Sequence, residues 1–333
     1  MAVTVAVDAN GADLGPAEVA FGAHAAVLAD PGLRVVVFGP AAEVSVRHER
    51  VAVVDAPVSI AKEPDPAKAV RGTPEASIVR AWKAVAEGEA DALVSGGSTG
   101  SALAAGLFGV KRARGIHRPA LAISVPVPGR PFLLLDVGAN SEVRPEHLVQ
   151  FAHMGAAYAR AVLGVDRPRV ALLANGSEAT KGTPDVIAAH AALAGMDGFV
   201  GNVEGFTVAS GEADVVVTDG FTGNVMLKTM EGTSRALLGA VREAATSSLR
   251  ARAGGLLLRP SLGGLRAGVD PEAQGGAVLL GLRRPAIVPH GSFGERGFAV
   301  AVARAAQAVR TDVVGLTHAA LERAGALRRA PVA

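Results

Sequence analysis

Thr222, Gly223 and Asn224 follow three consecutive valines, Val215 to Val217, and the Thr218-Asp219-Gly220 turn that ends them. A short β-branched run of this kind suits a buried parallel strand, and the turn puts a helix start directly after it. Backbone N–H groups at that start, beside a threonine hydroxyl and an asparagine amide, make an anion site. SGGSTG at 95–100, containing Gly96, Gly97, Ser98 and Thr99, has the same layout. Its glycines let backbone N–H groups approach a phosphate or carbonyl closely. Two further junctions, 136–140 and 175–183, add the amide of Asn140 and the amine of Lys181, one of only six lysines. Lysine is a compact point charge suited to a phosphate or a developing oxyanion. His290, after a last strand, belongs to the residue type that can protonate a leaving group near neutral pH.

The same residues admit other chemistry. Asp8, Asp136 and Asp219 each end a strand; together they would make a hard-cation set, and separately they would accept turn N–H groups or orient Lys181. We expect no metal. Gly96, Ser98 and Gly100 satisfy G-x-S-x-G, and Asp219 and His290 follow in the chain order of an α/β-hydrolase triad, although no HGGG-type oxyanion loop precedes them. Thr222 and Asn224 also serve as plain helix caps.

The elements that must carry these groups alternate strand and helix. Strands are expected at Val3–Val7, Leu33–Phe38, Val51–Val54, Ala92–Val94, Leu121–Val125, Phe132–Leu135, Val170–Leu173, Phe199–Val203, Val215–Val217 and Ala286–Val288. Helices are expected from Pro16 to about Leu28, Pro74 to Glu87, Ser101 to about Ala113 and Pro145 to Leu163, and 61–73 reads as an exposed connection. If the sheet is parallel, its strand ends all point one way and build one cleft at one edge. No internal repeat or long linker is evident, so residues 1–333 read as a single α/β catalytic unit.

Composition narrows the classes. Half of the 333 residues are hydrophobic and 41 are glycine, which fits a packed, turn-rich enzyme. A net charge of only +2, with one Trp and one Tyr, argues against nucleic acid as a partner. The absence of cysteine removes thiolate chemistry and fits a cytoplasmic setting. MAVTVAVDAN has no signal-peptide pattern, and no stretch offers about 18 uninterrupted apolar residues.

DANGADLGP, SGGSTG, LLLDVGAN, EHLVQFA, ATKG, VTDGFTGNVMLK and the late GGA and HGS, in this order from Asp8 to beyond His290, resemble the bacterial phosphate acyltransferase (PlsX) family. That resemblance implies an isocitrate/isopropylmalate dehydrogenase-like fold: a three-layer α/β/α sandwich on a mostly parallel sheet. It implies transfer of a fatty acyl group from acyl carrier protein to inorganic phosphate, giving acyl-phosphate for phospholipid synthesis. A homodimer, no cofactor, and a membrane glycerol-phosphate acyltransferase downstream are also implied. Such chemistry needs an anion site, oxyanion donors and a proton for the departing thiolate; phosphate itself is the nucleophile. Lys181, Asn224 and His290 are then the catalytic candidates. Asp8, Gly96, Gly97, Ser98, Thr99, Asn140, Asp219, Thr222 and Gly223 are candidates for binding phosphate and substrate. The pattern departs from the family at Asn10, Ala12, Leu14, Ser98, Ala174, Asn175, Gln274 and Phe293.

Two rivals remain. A nicotinamide-dependent dehydrogenase of the same fold would need a GxGxxG followed by an acid, which we do not find. A non-catalytic phosphate- or acyl-binding scaffold at membranes would have lost turnover through those departures. Within 245–270, Leu249 to Gly268 carries Arg250, Arg252, Arg259 and Arg266, no acid, and Leu256, Leu257, Leu258, Leu262 and Leu265, broken by Gly254, Gly255 and Pro260. It is expected to be a protruding helical tip that gives peripheral contact with anionic lipid at the inner face of the cell membrane.

Overall fold

The structure is a computed structural model that describes residues 1–328, apart from the side chains of 259–262 and 265–267. Its strands are β1 (Val3–Asp8), β2 (Leu33–Gly39), β3 (Val51–Asp55), β4 (Ala92–Ser95), β5 (Ala120–Val125), β6 (Phe132–Leu135), β7 (Val170–Ala174), β8 (Phe199–Glu204), β9 (Val215–Val217), β10 (Ala277–Leu280) and β11 (Ala286–Val288). The helices are α1 (Pro16–Ala29), α2 (Pro66–Gly72), α3 (Ser77–Glu87), α4 (Thr99–Gly109), α5 (Pro145–Ala161), α6 (Pro184–Leu193), α7 (Gly220–Thr246), α8 (Leu249–Gly268), α9 (Glu295–Arg310) and α10 (Val313–Arg323).

The eleven strands of the described residues form one sheet, in the order β3-β2-β1-β4-β11-β10-β5-β6-β9-β7-β8. Alternate side chains leave opposite faces, and both faces are covered. Val5 and Val7, Leu133 and Leu135, and Val215 and Val217 pack with α1, α5 and α9 on one side. Ala6, Leu134 and Val216 pack with α3 and α4 on the other. This is the expected three-layer α/β/α sandwich, and most strand pairs are parallel.

The expected single cleft is corrected by the strand directions. β10 runs antiparallel to both β11 and β5, and β5 runs antiparallel to β6. The strands β3, β2, β1, β4, β11 and β5 therefore point one way, and β10, β6, β9, β7 and β8 the other. Their carboxyl ends lie on opposite edges of the sheet. We call the edge at the ends of β1, β4 and β11 the upper one, and that at the ends of β6, β7 and β9 the lower one.

The 61–73 connection is also corrected, because α2 lies within it. Asp65 Oδ1 accepts the Lys68 N–H at 3.0 Å and Pro66 fills the first turn, so the local signal was a helix start. The 245–270 stretch is the end of α7 followed by α8; Leu249, Leu256, Leu257 and Leu258 are exposed. The side chains of Arg259, Pro260, Leu262, Leu265 and Arg266 lie outside the described residues. No described helix is long and apolar enough to cross a membrane.

Candidate active site

At the lower edge, α7 begins where β9 ends. Asp219 is its N-cap, Oδ1 accepting the Thr222 N–H at 2.8 Å, and the Gly220 N–H donates to the Asn140 carbonyl at 2.7 Å. Gly223 is required by contact: a Cβ there would sit 1.9 Å from the Asp136 carbonyl oxygen. The helix start is thus pressed onto the turn after β6.

Asp136 organises that turn from inside. Fully buried, it accepts the N–H groups of Leu121, Gly138, Ala139 and Asn140 and the Asn140 side-chain amide at 2.7–3.2 Å. Burial pushes its pKa up, against the pull of those donors. Asn140 Nδ2 also donates to the Pro119 carbonyl at 2.7 Å, so this residue ties the turn to the start of β5 and is not free to reach a ligand by that atom.

Between the turn and the helix lies a cavity of about 500 Å³. Gly138 and Ser141 form one wall, and Gly220, Phe221, Asn224, Val225, Lys228 and Thr229 form the other. Asn224 supplies an exposed amide, and Lys228 the only charge on the walls; Lys228 Nζ is held 2.8 Å from Glu231 Oε2. Phe221 and Val225 are exposed apolar side chains one turn apart on the same helix. Sequence reasoning missed Lys228, although its i+4 spacing from Asn224 within one helical motif is a readable signal. Lys181 is on this edge too, in the loop after β7. Its side chain lies along Gly176, where a Cβ would meet its Cγ at 2.7 Å, and its ammonium makes no ion pair among the described residues.

Asp8, Gly96, Gly97, Ser98, Thr99 and His290 are at the upper edge. Asp8 is buried and accepts the Ser77 hydroxyl at 2.6 Å, the Ser95 hydroxyl at 2.8 Å and the Asn10 N–H at 3.3 Å. Burial pushes its pKa up to about 6, against those three donors. The Gly97 N–H donates to Ser95 Oγ, and Gly96 packs beside Phe298 and Ala12. Ser98 caps α4, whose first residue is Thr99: its Oγ accepts the Ser101 N–H at 3.2 Å and lies 2.9 Å from Ser101 Oγ. His290 Nδ1 lies 2.8 Å from Ser292 Oγ.

The hydrolase pattern therefore has no geometric counterpart: Ser98 is a helix cap, His290 bonds Ser292, and Asp219 stands at the other edge. The three carboxylates do not form a cation set either. Asp8 is separated from the others, Asp136 spends both oxygens on turn donors, and Asp219 is a cap. His117, Glu146 and His147 do bring candidate metal-ligand atoms within 4.8 Å of one another. Burial lowers both histidine pKa values, which favours the neutral form of each ring. His147 Nδ1, however, accepts the Arg144 N–H at 3.2 Å, which puts the ring proton on Nε2. A metal would have to displace either that proton or the cap.

Fold and site together define an α/β/α protein of the kind found among phosphotransacylases and dehydrogenases, with anion-ready helix starts at its sheet edges. A phosphotransacetylase from Streptococcus pyogenes superposes with a TM-score of 0.59 at 17% identity, covering 92% of this chain and 94% of that one. A 4-hydroxythreonine-4-phosphate dehydrogenase from Klebsiella pneumoniae does so with 0.53 at 16%, covering 92% and 100%. At these identities the likeness is one of fold. The sequence goes further: the model of the fatty acid synthesis protein family matches residues 3–316, and the chain belongs to that family. It is 42% identical over 326 residues, 96% of this chain and 99% of the relative, to the phosphate acyltransferase of Geobacillus thermodenitrificans strain NG80-2.

Proposed function

We propose that the chain transfers a fatty acyl group from acyl carrier protein to inorganic phosphate, releasing acyl-phosphate and the carrier thiol. The observation that carries this reading is the lower-edge cavity, whose walls offer the positive end of α7, the Asn224 amide and the Lys228 ammonium. These are groups for holding an anion and a developing oxyanion. The activity in the names of close relatives supports the same reaction.

In this reading phosphate lies over the α7 start, and one of its oxygens attacks the thioester carbonyl. The carbon–oxygen bond forms, the carbonyl electrons move onto oxygen, and Asn224 and Lys228 on the cavity wall stabilise that oxyanion, with Lys181, in the loop after β7, assigned to the same charge. Its collapse breaks the carbon–sulfur bond and expels the thiolate, which takes a proton from solvent. His290, at the upper edge and bonded to Ser292, is not given that proton, and Ser98 serves as a cap. Phe221 and Val225 offer an apolar wall to the acyl chain. No organic cofactor takes part.

The working form is a single catalytic unit per chain assembled as a homodimer. Acyl-phosphate is a reactive mixed anhydride, so contact of α8 with the membrane shortens its route to a membrane-bound glycerol-phosphate acyltransferase. No observation favours the dehydrogenase or the scaffold. The test is release of carrier thiol from acylated carrier protein with and without inorganic phosphate. Phosphate-dependent release with acyl-phosphate as product is expected; release that ignores phosphate, or none, overturns the reading.

A further inference from the structure

The lower edge carries a concentration of charge that the cavity does not use. Lys111, Arg112, Arg114 and Arg118 come from one segment between α4 and β5, and all four are exposed. Arg144 caps α5 beside it, and Arg283 and Arg284 form the turn from β10 to β11. Arg328 is brought in by its N–H bond to the Gly115 carbonyl at 2.8 Å. The segments 111–118, 141–146, 282–284 and 326–328 hold these eight cations against two carboxylates, Glu142 and Glu146, a net +6 on a chain whose total is +2. The rest of the molecule is therefore net negative. None of the ion pairs among the described residues involves any of the eight.

The patch is fixed in shape and joined to the cavity. Arg112 Nη1 donates to the His117 carbonyl, Arg283 Nε to the Arg112 carbonyl at 3.2 Å, and the His117 N–H to Gln150 Oε1 at 2.8 Å. Arg118 precedes Pro119, whose carbonyl holds Asn140; the next residue, Ser141, is a cavity wall, and Arg144 lies three residues on. Like-charged groups kept together against their own repulsion, unpaired and beside a site, mark a surface shaped for an anionic partner. None of the large exposed apolar side chains belongs to these four segments, so a bilayer would be held there by charge alone.

We propose that this arginine face docks an acidic surface of the acyl carrier protein and so delivers its thioester to the cavity. The inference rests on the transfer reading above. It predicts that the carrier is bound through the patch and the reacting groups through the cavity, so the two separate kinetically.

The experiment compares wild type with Arg114→Glu/Arg118→Glu on two donors, acylated carrier protein and the corresponding carrier-free acyl-pantetheine thioester. The variant is expected to raise the KM for the carrier at least tenfold, and to leave kcat, the KM for phosphate and turnover of the carrier-free donor within twofold. Added salt should raise the carrier KM of wild type more than that of the variant. An unchanged carrier KM overturns the docking face, as does an equal loss on the carrier-free donor. Lost capture by phosphatidylglycerol vesicles with the carrier KM intact overturns it in favour of lipid. If wild type turns over neither donor in the presence of phosphate, the transfer reading fails by itself. Fluorescence anisotropy of labelled carrier then still scores the patch: a tenfold weaker Kd in the variant sustains it, and an equal Kd sinks it.

Discussion

Asp8 and Ser98 lie close together in the upper-edge junctions, yet their surroundings set them different tasks. The Asp8 carboxyl is buried with its pKa raised to about 6, so the folded protein keeps that proton to higher pH than the unfolded chain does. Between about pH 4 and pH 6 the native state holds more protons, and stability falls as pH rises, by about 3 kcal/mol in all. Asp8→Asn should remove this slope: denaturant unfolding of the two proteins across that range should give a stability difference that changes with pH. A constant difference would show that the buried acid is not as described. Ser98 caps a helix, so Ser98→Ala should cost roughly 1 kcal/mol of stability and less than about tenfold in rate. Lys181→Ala and Asn224→Ala should each lose about a hundred- to a thousandfold in kcat/KM, the usual effect of deleting a preorganised donor. Steady-state assays that find Ser98→Ala the most damaging of the three would sink the assignment. Ser98, Asn224 and Lys181 were all legible as site candidates because turn chemistry is local. Which of them shares a surface with which was not, since strand direction is decided by pairing between distant segments.

Helix α7 shows how one element carries both the site and its own constraints. Gly223 and Gly232 are nine positions apart on it, and only the first touches anything: an added Cβ meets the Asp136 carbonyl at Gly223 and open space at Gly232. Gly223→Ala should cost roughly 1–3 kcal/mol through overpacking and push α7 off the turn that forms the cavity, while Gly232→Ala should add roughly 0.4–1 kcal/mol. Thermal melts of the two variants should therefore move in opposite directions; movement in the same direction would contradict the packing described. The start of this helix was readable from its Asp-Gly turn, as were the strands that precede a glycine. β10 was not, because Ala277 to Leu280 is a four-residue apolar run that periodicity cannot assign. α2 was hidden by lysine and proline that resemble a loop, despite the Asp65-Pro66 start signal.

At the scale of the whole molecule, the exposed leucines belong to α8 and the arginine face to the segments around β5, and each has its own test. Vesicle flotation with anionic lipid should capture the wild type, and Leu257→Glu/Leu258→Glu should weaken that capture severalfold; equal capture would remove α8 as a membrane contact. Light scattering should give twice the chain mass at micromolar concentration, and a monomer mass would contradict the dimer. The sheet has a consequence for biosynthesis. Among the described residues, β4 is joined to β5 through β11 and β10, which leave the ribosome after the strands they connect. Until they arrive, the nascent chain holds two separate half-sheets, each with a bare hydrophobic edge of the kind that pairs with other chains. The seam is sewn after the sheet on either side of it, so the growing polypeptide is most in need of a chaperone between the completion of β9 at Val217 and the arrival of β10 at Ala277, when nine strands are made and the molecule is still in two pieces.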